Sequence, residues 1–118
     1  MSDLIYLASP YTHEDAGVME MRFEMACTQA VEMMGAGMIV FSPIAHCHPL
    51  SDWHDLPGDW EYWQRFDEAI LKACGKLVVL KLDGYEHSAG IAAEVMIAKR
   101  LGIPVEWWEF GDIQGEKL

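Results

Sequence analysis

Four short apolar runs, separated by segments long enough to form helices, constrain the fold of this chain more than any other feature. Leu4–Ala8, Met38–Phe41, Lys76–Leu82 and Pro104–Trp107 are each predicted to be a strand. Short apolar strands that alternate with helices form a parallel sheet through right-handed crossovers. The sequence therefore predicts an α/β fold with a doubly wound parallel sheet of four or five strands.

The segments between the strands divide into helices and one long connection. Apolar residues recur near the helical period in Asp15–Met34, Trp60–Cys74 and Gly90–Leu101, which are predicted helices. Ser42–Gly58 carries three prolines and three histidines and is predicted to be a loop. A loop of this length in a small domain is often functional. One domain over residues 1–118 accommodates all of these elements.

The composition limits the partners and the compartment. The net charge of -11 disfavours a nucleic acid polymer as ligand. No apolar run is long enough to span a membrane, and the acidic start lacks the basic region of a signal peptide, so the cytoplasm is expected. The three cysteines are odd in number and widely spaced, which indicates reduced thiols and no zinc ribbon. No cofactor is predicted.

The topology places three segments at one edge of the molecule. In open parallel sheets, ligands bind outside the carboxyl ends of the strands. Ser9–Thr12, Ser42–His48 and Asp83–Gly90 follow three of the predicted strands directly. We therefore expect any small-molecule site to lie among these segments.

The third of these segments carries the signal of an anion site. Ser88 is suited to cap the last long helix, and the amides of Ala89, Gly90 and Ile91 would then be free to bind a negative group. Gly90 would let a ligand approach the backbone closely.

Three polar side chains stand in contexts that allow two interpretations. Glu94 lies among apolar residues of a predicted helix, where a buried carboxylate needs a partner or a purpose, but it could also lie on an exposed stripe with Arg100. Tyr6 interrupts an apolar strand and could be an ordinary core aromatic. Asp67 could belong to a solvated helix face.

The order and spacing of these motifs resemble the nucleoside 2-deoxyribosyltransferases and the related nucleotide N-glycosidases. The resemblance covers most of residues 4–105, and it implies a three-layer, Rossmann-like (flavodoxin-like) arrangement of the sheet. Its motifs are Ile5–Pro10, Asp67, Asp83-Gly84 and the run Ser88-x-Gly90-x-x-x-Glu94. More narrowly, the segments IYLASPY, FSPIAHCHP and LPGDWEYW resemble a small bacterial and phage family, domain of unknown function 1937.

The resemblance implies roles for individual residues. Glu94 would attack the anomeric carbon of a deoxyribosyl group and form a covalent intermediate as the base leaves. Tyr6 would hydrogen-bond Glu94 and position it, and Asp67 would assist proton transfer to the base. The remaining substrate contacts are predicted to be Ser9, Pro10, Ser88, Gly90, His46 and Arg22, with Thr12 and His13 as further phosphate contacts.

One departure from the transferases bears on the substrate. The transferases usually carry an aspartate six residues before the glutamate, and this chain has Ser88 there. A serine at this position is similar to the nucleoside 5′-monophosphate hydrolases, and a neutral hydroxyl beside helix amides accommodates a phosphate that an aspartate would repel. Hydrolysis of a nucleoside 5′-monophosphate is therefore favoured over base exchange.

Two other functions remain open on the sequence. One is a nucleotide-binding domain that has lost turnover, in which Glu94 would be exposed or salt-bridged. The other is a metal-dependent hydrolase, because His46-x-His48 would place two imidazoles on one side of an extended segment. The preferred prediction is a site that holds no metal. A homo-oligomer is expected, since five tryptophans in a small domain leave apolar surface to cover.

Overall fold

A computed structural model describes residues 2–54 and 60–113, except for the side chains of residues 51–60. Within these ranges the chain alternates strands and helices, as predicted. The elements are β1 Leu4–Ala8, α1 Ala16–Gly35, β2 Ile39–Phe41, α2 Pro43–His54, α3 Trp60–Lys72, β3 Lys76–Leu80, a short 3₁₀ helix Tyr85–His87, α4 Ala89–Leu101 and β4 Val105–Trp108.

The four strands form one parallel sheet in the order β2-β1-β3-β4. The central pair is in a register that places Tyr6 opposite Leu77 and Ala8 opposite Val79. Because the chain leaves β1 toward one edge and later returns to the other side of β1, the sheet has a switch point between β1 and β3. The predicted α/β, flavodoxin-like fold with a parallel sheet is confirmed.

Side-chain alternation along the strands divides the core into two layers. One layer contains the strand residues Tyr6, Ala8, Leu77 and Val79. They pack with Leu71 of α3 and with Ile91 and Ala98 of α4. Ile5, Leu7, Val78 and Leu80 face the other side, where they pack with Ala30 and Met33 of α1. Tyr6 and α4 therefore lie on the same side of the sheet, which brings a phenol from a strand to a carboxylate from a helix.

The long connection after β2 differs from the prediction. Residues 43–54 form helix α2, so the prediction of a loop over Ser42–Gly58 is wrong for these residues, and residues 55–58 lie outside the described ranges. The Ser42 hydroxyl accepts from the Ala45 amide at 3.1 Å, and Pro43 occupies the first turn, where a helix needs no N–H donor. Pro49 lies inside the helix and obscured the helical pattern, because proline usually ends a helix.

No helix within the described part of the chain is both long and apolar enough to span a bilayer.

Candidate active site

A cavity of about 590 Å³ opens at the carboxyl edge of the sheet, at the switch point between β1 and β3. Its volume lies in the range of small-molecule sites. Five parts of the chain form its wall: the segment after β1, helix α2, helix α3, the 3₁₀ helix and the first half of α4. The lining residues are Ser9, Tyr11, Thr12, Pro43, Ile44, Cys47, His48, Trp63, Asp67, His87, Ser88, Ala89, Gly90 and Glu94.

Glu94 lies at the wall of this cavity and is almost completely buried, with 6% of its surface exposed. The Tyr6 hydroxyl donates a hydrogen bond of 2.6 Å to Glu94 Oε2. The alternative partner, Arg100, instead pairs with Glu68 at 2.9 Å. The interpretation of Glu94 as part of an exposed stripe with Arg100 is therefore wrong, and the contact expected between Tyr6 and Glu94 is present.

Helix geometry explains why Glu94 is buried. Ile91, Ile97 and Ala98 anchor α4 on the sheet, and Glu94 follows Ile91 by one turn, so it shares their face. Tyr6 reaches the same layer because alternation along β1 points its ring toward α4. The phenol fills the core with its ring and presents its hydroxyl to the carboxylate.

Burial sets the electrostatics of the two carboxyl groups at the cavity. Removal from water raises the pKa of Glu94 to about 8, although the hydrogen bond from Tyr6 acts in the opposite direction and the charge of Asp67 acts with burial. Burial also raises the pKa of Asp67 to about 6. Near neutral pH the pair therefore retains about one proton between its two carboxyl groups.

Two buried polar atoms at the cavity have no hydrogen-bond partner among the described residues. They are Ser9 Oγ and Asp67 Oδ1, and both side chains are more than nine-tenths buried. Buried polar groups are almost always paired, so these two atoms indicate a site that hydrogen-bonds a ligand or ordered solvent. Asp67 is thus not part of a solvated helix face.

The start of α4 forms the part of the wall where an anion site was predicted. Ser88 caps the helix, because its hydroxyl accepts from the Ile91 amide at 3.2 Å. That amide is therefore occupied, and the prediction that it is free is wrong. The amides of Ala89 and Gly90 precede the first internal helix bonds, and the Ser88 proton can still be donated.

Gly90 has no structural need to be a glycine. A Cβ added there would meet only Ser88 Oγ, at an ordinary contact distance of 3.8 Å. The residue lines the cavity, so a side chain would occupy ligand space rather than protein space.

Arg22 and Pro10 are outside the lining of the cavity. The Arg22 guanidinium donates to the carbonyl oxygens of Thr12 at 3.1 Å and Asp83 at 2.9 Å, and so it ties together the two loops that form part of the wall. Gly84 leaves room for the Arg22 guanidinium, because a Cβ at residue 84 would lie only 2.7 Å from it. Pro10 is fully buried, between Ser9 and Tyr11, which do line the cavity.

His46 and His48 of α2 point in different directions. His46 is exposed and stacks on Phe66 at a centroid distance of 5.4 Å, outside the cavity lining. His48 is buried and lines the cavity. The predicted convergence of these imidazoles is wrong because α2 is helical and residues two apart lie on opposite sides of a helix. Within the described ranges, no three metal-ligating side chains cluster.

Several lining residues lie in the segments expected at this edge but were not assigned individual contacts. Tyr11 lies in the segment that follows β1, and Cys47 and His48 line the cavity through the packing of α2. Helical rather than extended geometry over residues 43–54 would have selected His48 instead of His46. His87 comes from the 3₁₀ helix before α4, for which the sequence carried only a turn signal.

Comparison with known proteins agrees with this architecture. A 2-deoxyribosyltransferase from the psychrotolerant bacterium Bacillus psychrosaccharolyticus matches with a TM-score of 0.59 and 26% sequence identity, over 93% of this chain and 75% of the other. No curated protein matches the sequence. The fold and the sequence together define a member of the 2-deoxyribosyltransferase-like superfamily. Residues 3–110 match the model of a domain of unknown function, DUF1937, and the chain belongs to that family.

Proposed function

We propose that this protein cleaves the N-glycosidic bond of a nucleoside 5′-monophosphate, with Glu94 as nucleophile. The observation that carries the proposal is the buried Glu94 carboxylate, held by the Tyr6 hydroxyl at 2.6 Å on the wall of a ligand-sized cavity. A buried carboxylate has a free-energy cost, and its position beside a second carboxyl with a raised pKa is typical of an active site.

The proposed reaction has two steps. A Glu94 oxygen forms a bond to the anomeric carbon, the C–N bond breaks, and its electron pair goes to the base, which takes a proton from Asp67. Water then forms a bond to the anomeric carbon, its proton goes to Asp67, and the Glu94 carboxylate is released. Tyr6 is a positioning residue, because its hydrogen bond favours the ionised form of Glu94.

Hydrolysis of a phosphorylated substrate is favoured by the start of α4. The Ser88 hydroxyl and the Ala89 and Gly90 amides meet at the positive end of the helix dipole, which suits a 5′-phosphate. The unpaired Ser9 hydroxyl is a further donor at the same wall. The similarity to a transferase makes base exchange the second candidate.

The test is an assay of base release. The purified protein is incubated with deoxyribo- and ribonucleoside 5′-monophosphates and with the unphosphorylated nucleosides, with and without an acceptor base. We expect free base from a monophosphate in the absence of acceptor. Release only in the presence of acceptor would establish the transferase instead, and nucleotide binding without release under any condition would establish a binding protein.

Ser88→Asp is expected to reverse the preference for phosphorylated substrates. The aspartate can still cap α4, but its charge repels the phosphate, so kcat/KM for the monophosphate should fall by about a hundredfold while that for the nucleoside changes little. Ser88→Asn, which caps the helix without a charge, is the matched control. Equal losses with both substrates would contradict a phosphate contact at residue 88.

Gly90→Ala is expected to separate ligand binding from stability. The melting temperature should stay the same or rise slightly, because Ala favours a helix and its Cβ meets no protein atom closer than 3.8 Å. Nucleotide affinity should fall about tenfold or more, because the methyl group enters ligand space. Ala92→Gly, on the exposed side of α4, should instead lower the melting temperature and leave affinity unchanged. Unchanged affinity in Gly90→Ala would remove this residue from the binding site.

A further inference from the structure

The Arg22 guanidinium lies outside the cavity lining, but it binds residues that belong to the wall. It donates to the backbone carbonyl oxygens of Tyr11 at 3.4 Å, Thr12 at 3.1 Å and Asp83 at 2.9 Å. No ion pair among the described residues includes it, although the chain has a net charge of -11. The proposed reaction gives Arg22 no role.

These hydrogen bonds connect two segments on either side of the switch point. Strand pairing between β1 and β3 ends at Ala8 and Val79. Beyond that pair, no backbone hydrogen bond within the described ranges joins the segment after β1 directly to the segment after β3. The Arg22 guanidinium joins them instead, because its planar fork of five N–H donors can reach carbonyls in two directions at once.

The segment after β3 carries this restraint to the start of α4. The 3₁₀ helix begins two residues after Asp83, and within it the His87 amide donates to the Gly84 carbonyl at 3.0 Å. The Ser88 amide then donates to the Tyr85 carbonyl at 3.3 Å. Consecutive turns therefore fix the position of the α4 cap relative to the carbonyl that the guanidinium binds.

The segment after β1 contributes the unpaired hydroxyl of Ser9 to the same cavity. Ser9 is only 6% exposed and lies three residues before Thr12, which the guanidinium binds. An unpaired polar group that is this deeply buried indicates a ligand. A phosphate that binds both Ser9 and the start of α4 must span the two segments, so the distance between the segments decides whether both contacts can form.

A glycine leaves space for the nitrogen that binds Asp83. A Cβ at Gly84 would lie 2.7 Å from Arg22 Nη2, and the φ of this glycine is 89°. Gly37, after the end of α1, has a similar φ of 95°, but a Cβ there would meet no atom within 4 Å. Both positions favour glycine for the backbone, whereas a side chain at residue 84 would also displace the guanidinium.

We propose that Arg22 is a positioning residue for the phosphate, which holds Ser9 and the start of α4 at the separation that a phosphate requires. It acts through the carbonyls of the two segments and does not touch the ligand. Such preorganisation raises affinity, because the ligand does not have to order the segments when it binds. The inference rests on the proposed function in one respect, that the ligand carries a phosphate.

Two substitutions of Arg22 separate this role from simple attraction between charges. Arg22→Met removes both the charge and the hydrogen bonds. Arg22→Lys retains the charge, but a single ammonium group cannot reproduce a fork that spans two segments. Positioning therefore predicts that lysine behaves like methionine, whereas attraction of the phosphate by a charge alone predicts that lysine behaves like arginine.

The test measures affinity by calorimetry in the Glu94→Gln background, where no turnover disturbs binding, and well below the melting temperature of every variant. The ligands are the nucleoside 5′-monophosphate that binds most tightly, from a panel of ribo- and deoxyribonucleotides, and the corresponding nucleoside. We expect Arg22→Met and Arg22→Lys each to weaken binding of the monophosphate by about tenfold or more, and binding of the nucleoside by less than about threefold.

A pair of glycine variants tests the same role without changing the arginine. Gly84→Ala should weaken binding of the monophosphate selectively, because its Cβ displaces the guanidinium. Gly37→Ala introduces comparable backbone strain away from the guanidinium, so it should lower the melting temperature and leave both affinities unchanged.

Several outcomes would overturn the proposal. Parent affinity in Arg22→Lys would show that the charge alone acts, and equal losses for both ligands would show that Arg22 only supports the fold. An unchanged preference for the monophosphate in Gly84→Ala would exclude the role of the carbonyl contacts. Absence of all monophosphate binding before these substitutions would overturn this inference and the proposed substrate together. Selective losses in a protein that releases no base would support this inference and overturn only the proposed chemistry.

Discussion

Glu94→Gln is expected to lower the rate of base release by about a thousandfold or more, while nucleotide affinity changes by only a few fold. The amide is the same size as the carboxylate and can still accept from Tyr6, but it cannot form a stable ester with the anomeric carbon. The measurement is single-turnover base release alongside calorimetric affinity. Glu32→Gln, an exposed change on α1, is the control for altered net charge. Release at the parent rate would remove Glu94 from the mechanism.

The same variant should be more stable than the parent, which separates a chemical defect from a folding defect. The pKa of Glu94 is higher in the folded chain than in the unfolded chain, so the folded state binds more protons between the two values. Its ionisation therefore lowers the free energy of unfolding as the pH rises from about 4.5 to about 8. Glu94→Gln has no group that ionises at this position, so it does not lose this stability. The difference in melting temperature between the variant and the parent should therefore grow across that interval and then level off. The free-energy difference at high pH should reach a few kcal/mol. An equal advantage at pH 4 and pH 9 would contradict the burial argument.

Much of the fold could be predicted because its signals are local. The strands at Leu4–Ala8 and Lys76–Leu80 are short apolar runs, and Asp15 and Ser88 mark helix starts through side-chain capping. The prediction of a loop over residues 42–58 was wrong over α2 because its Ser-Pro start and internal proline also fit a loop. Helix identity there depends on packing against α1 and β1, which no local pattern records.

Only part of the site could be predicted, because its contacts join residues that lie far apart in the sequence. The contact between Tyr6 and Glu94 joins residues 88 positions apart, and only a resemblance to known enzymes could indicate it from sequence. Arg22 illustrates the limit, because a cation near a predicted phosphate site suggests a ligand contact. Its guanidinium instead donates hydrogen bonds to three backbone carbonyls, whose positions depend on the folded loops. His46 and His48 illustrate it again, since the helical geometry of α2 decides which of them reaches the cavity.

Asp67 should determine the pH dependence of the reaction. The active form has one proton on the pair of carboxyl groups. Because the pKa of Glu94 is the higher of the two, this proton lies mainly on Glu94 and must move to Asp67 before Glu94 attacks. Below about pH 6 both groups are protonated and Glu94 cannot attack, and above about pH 8 both are ionised and no proton is available for the base. We therefore expect a bell-shaped profile of kcat/KM against pH, with limbs near these two values. A flat profile from pH 5 to pH 9 would contradict the shared proton.

Asp67→Asn is expected to change that profile in a way that identifies the role of the residue. Base release should slow by about a hundredfold or more, and the alkaline limb should disappear because the proton donor is gone. The acid limb should then report Glu94 alone and move to higher pH, between about 6 and about 8, because burial keeps the pKa of Glu94 raised while the contribution from the charge of Asp67 is lost. A 4-nitrophenyl glycoside of the same sugar phosphate needs no proton to leave, so the first-turnover release of 4-nitrophenolate should be nearly as fast in the variant as in the parent. Glu68→Gln, the adjacent change on α3, should leave both limbs in place. Equal slowing of both substrates by Asp67→Asn would mean that Asp67 holds the site together without donating a proton.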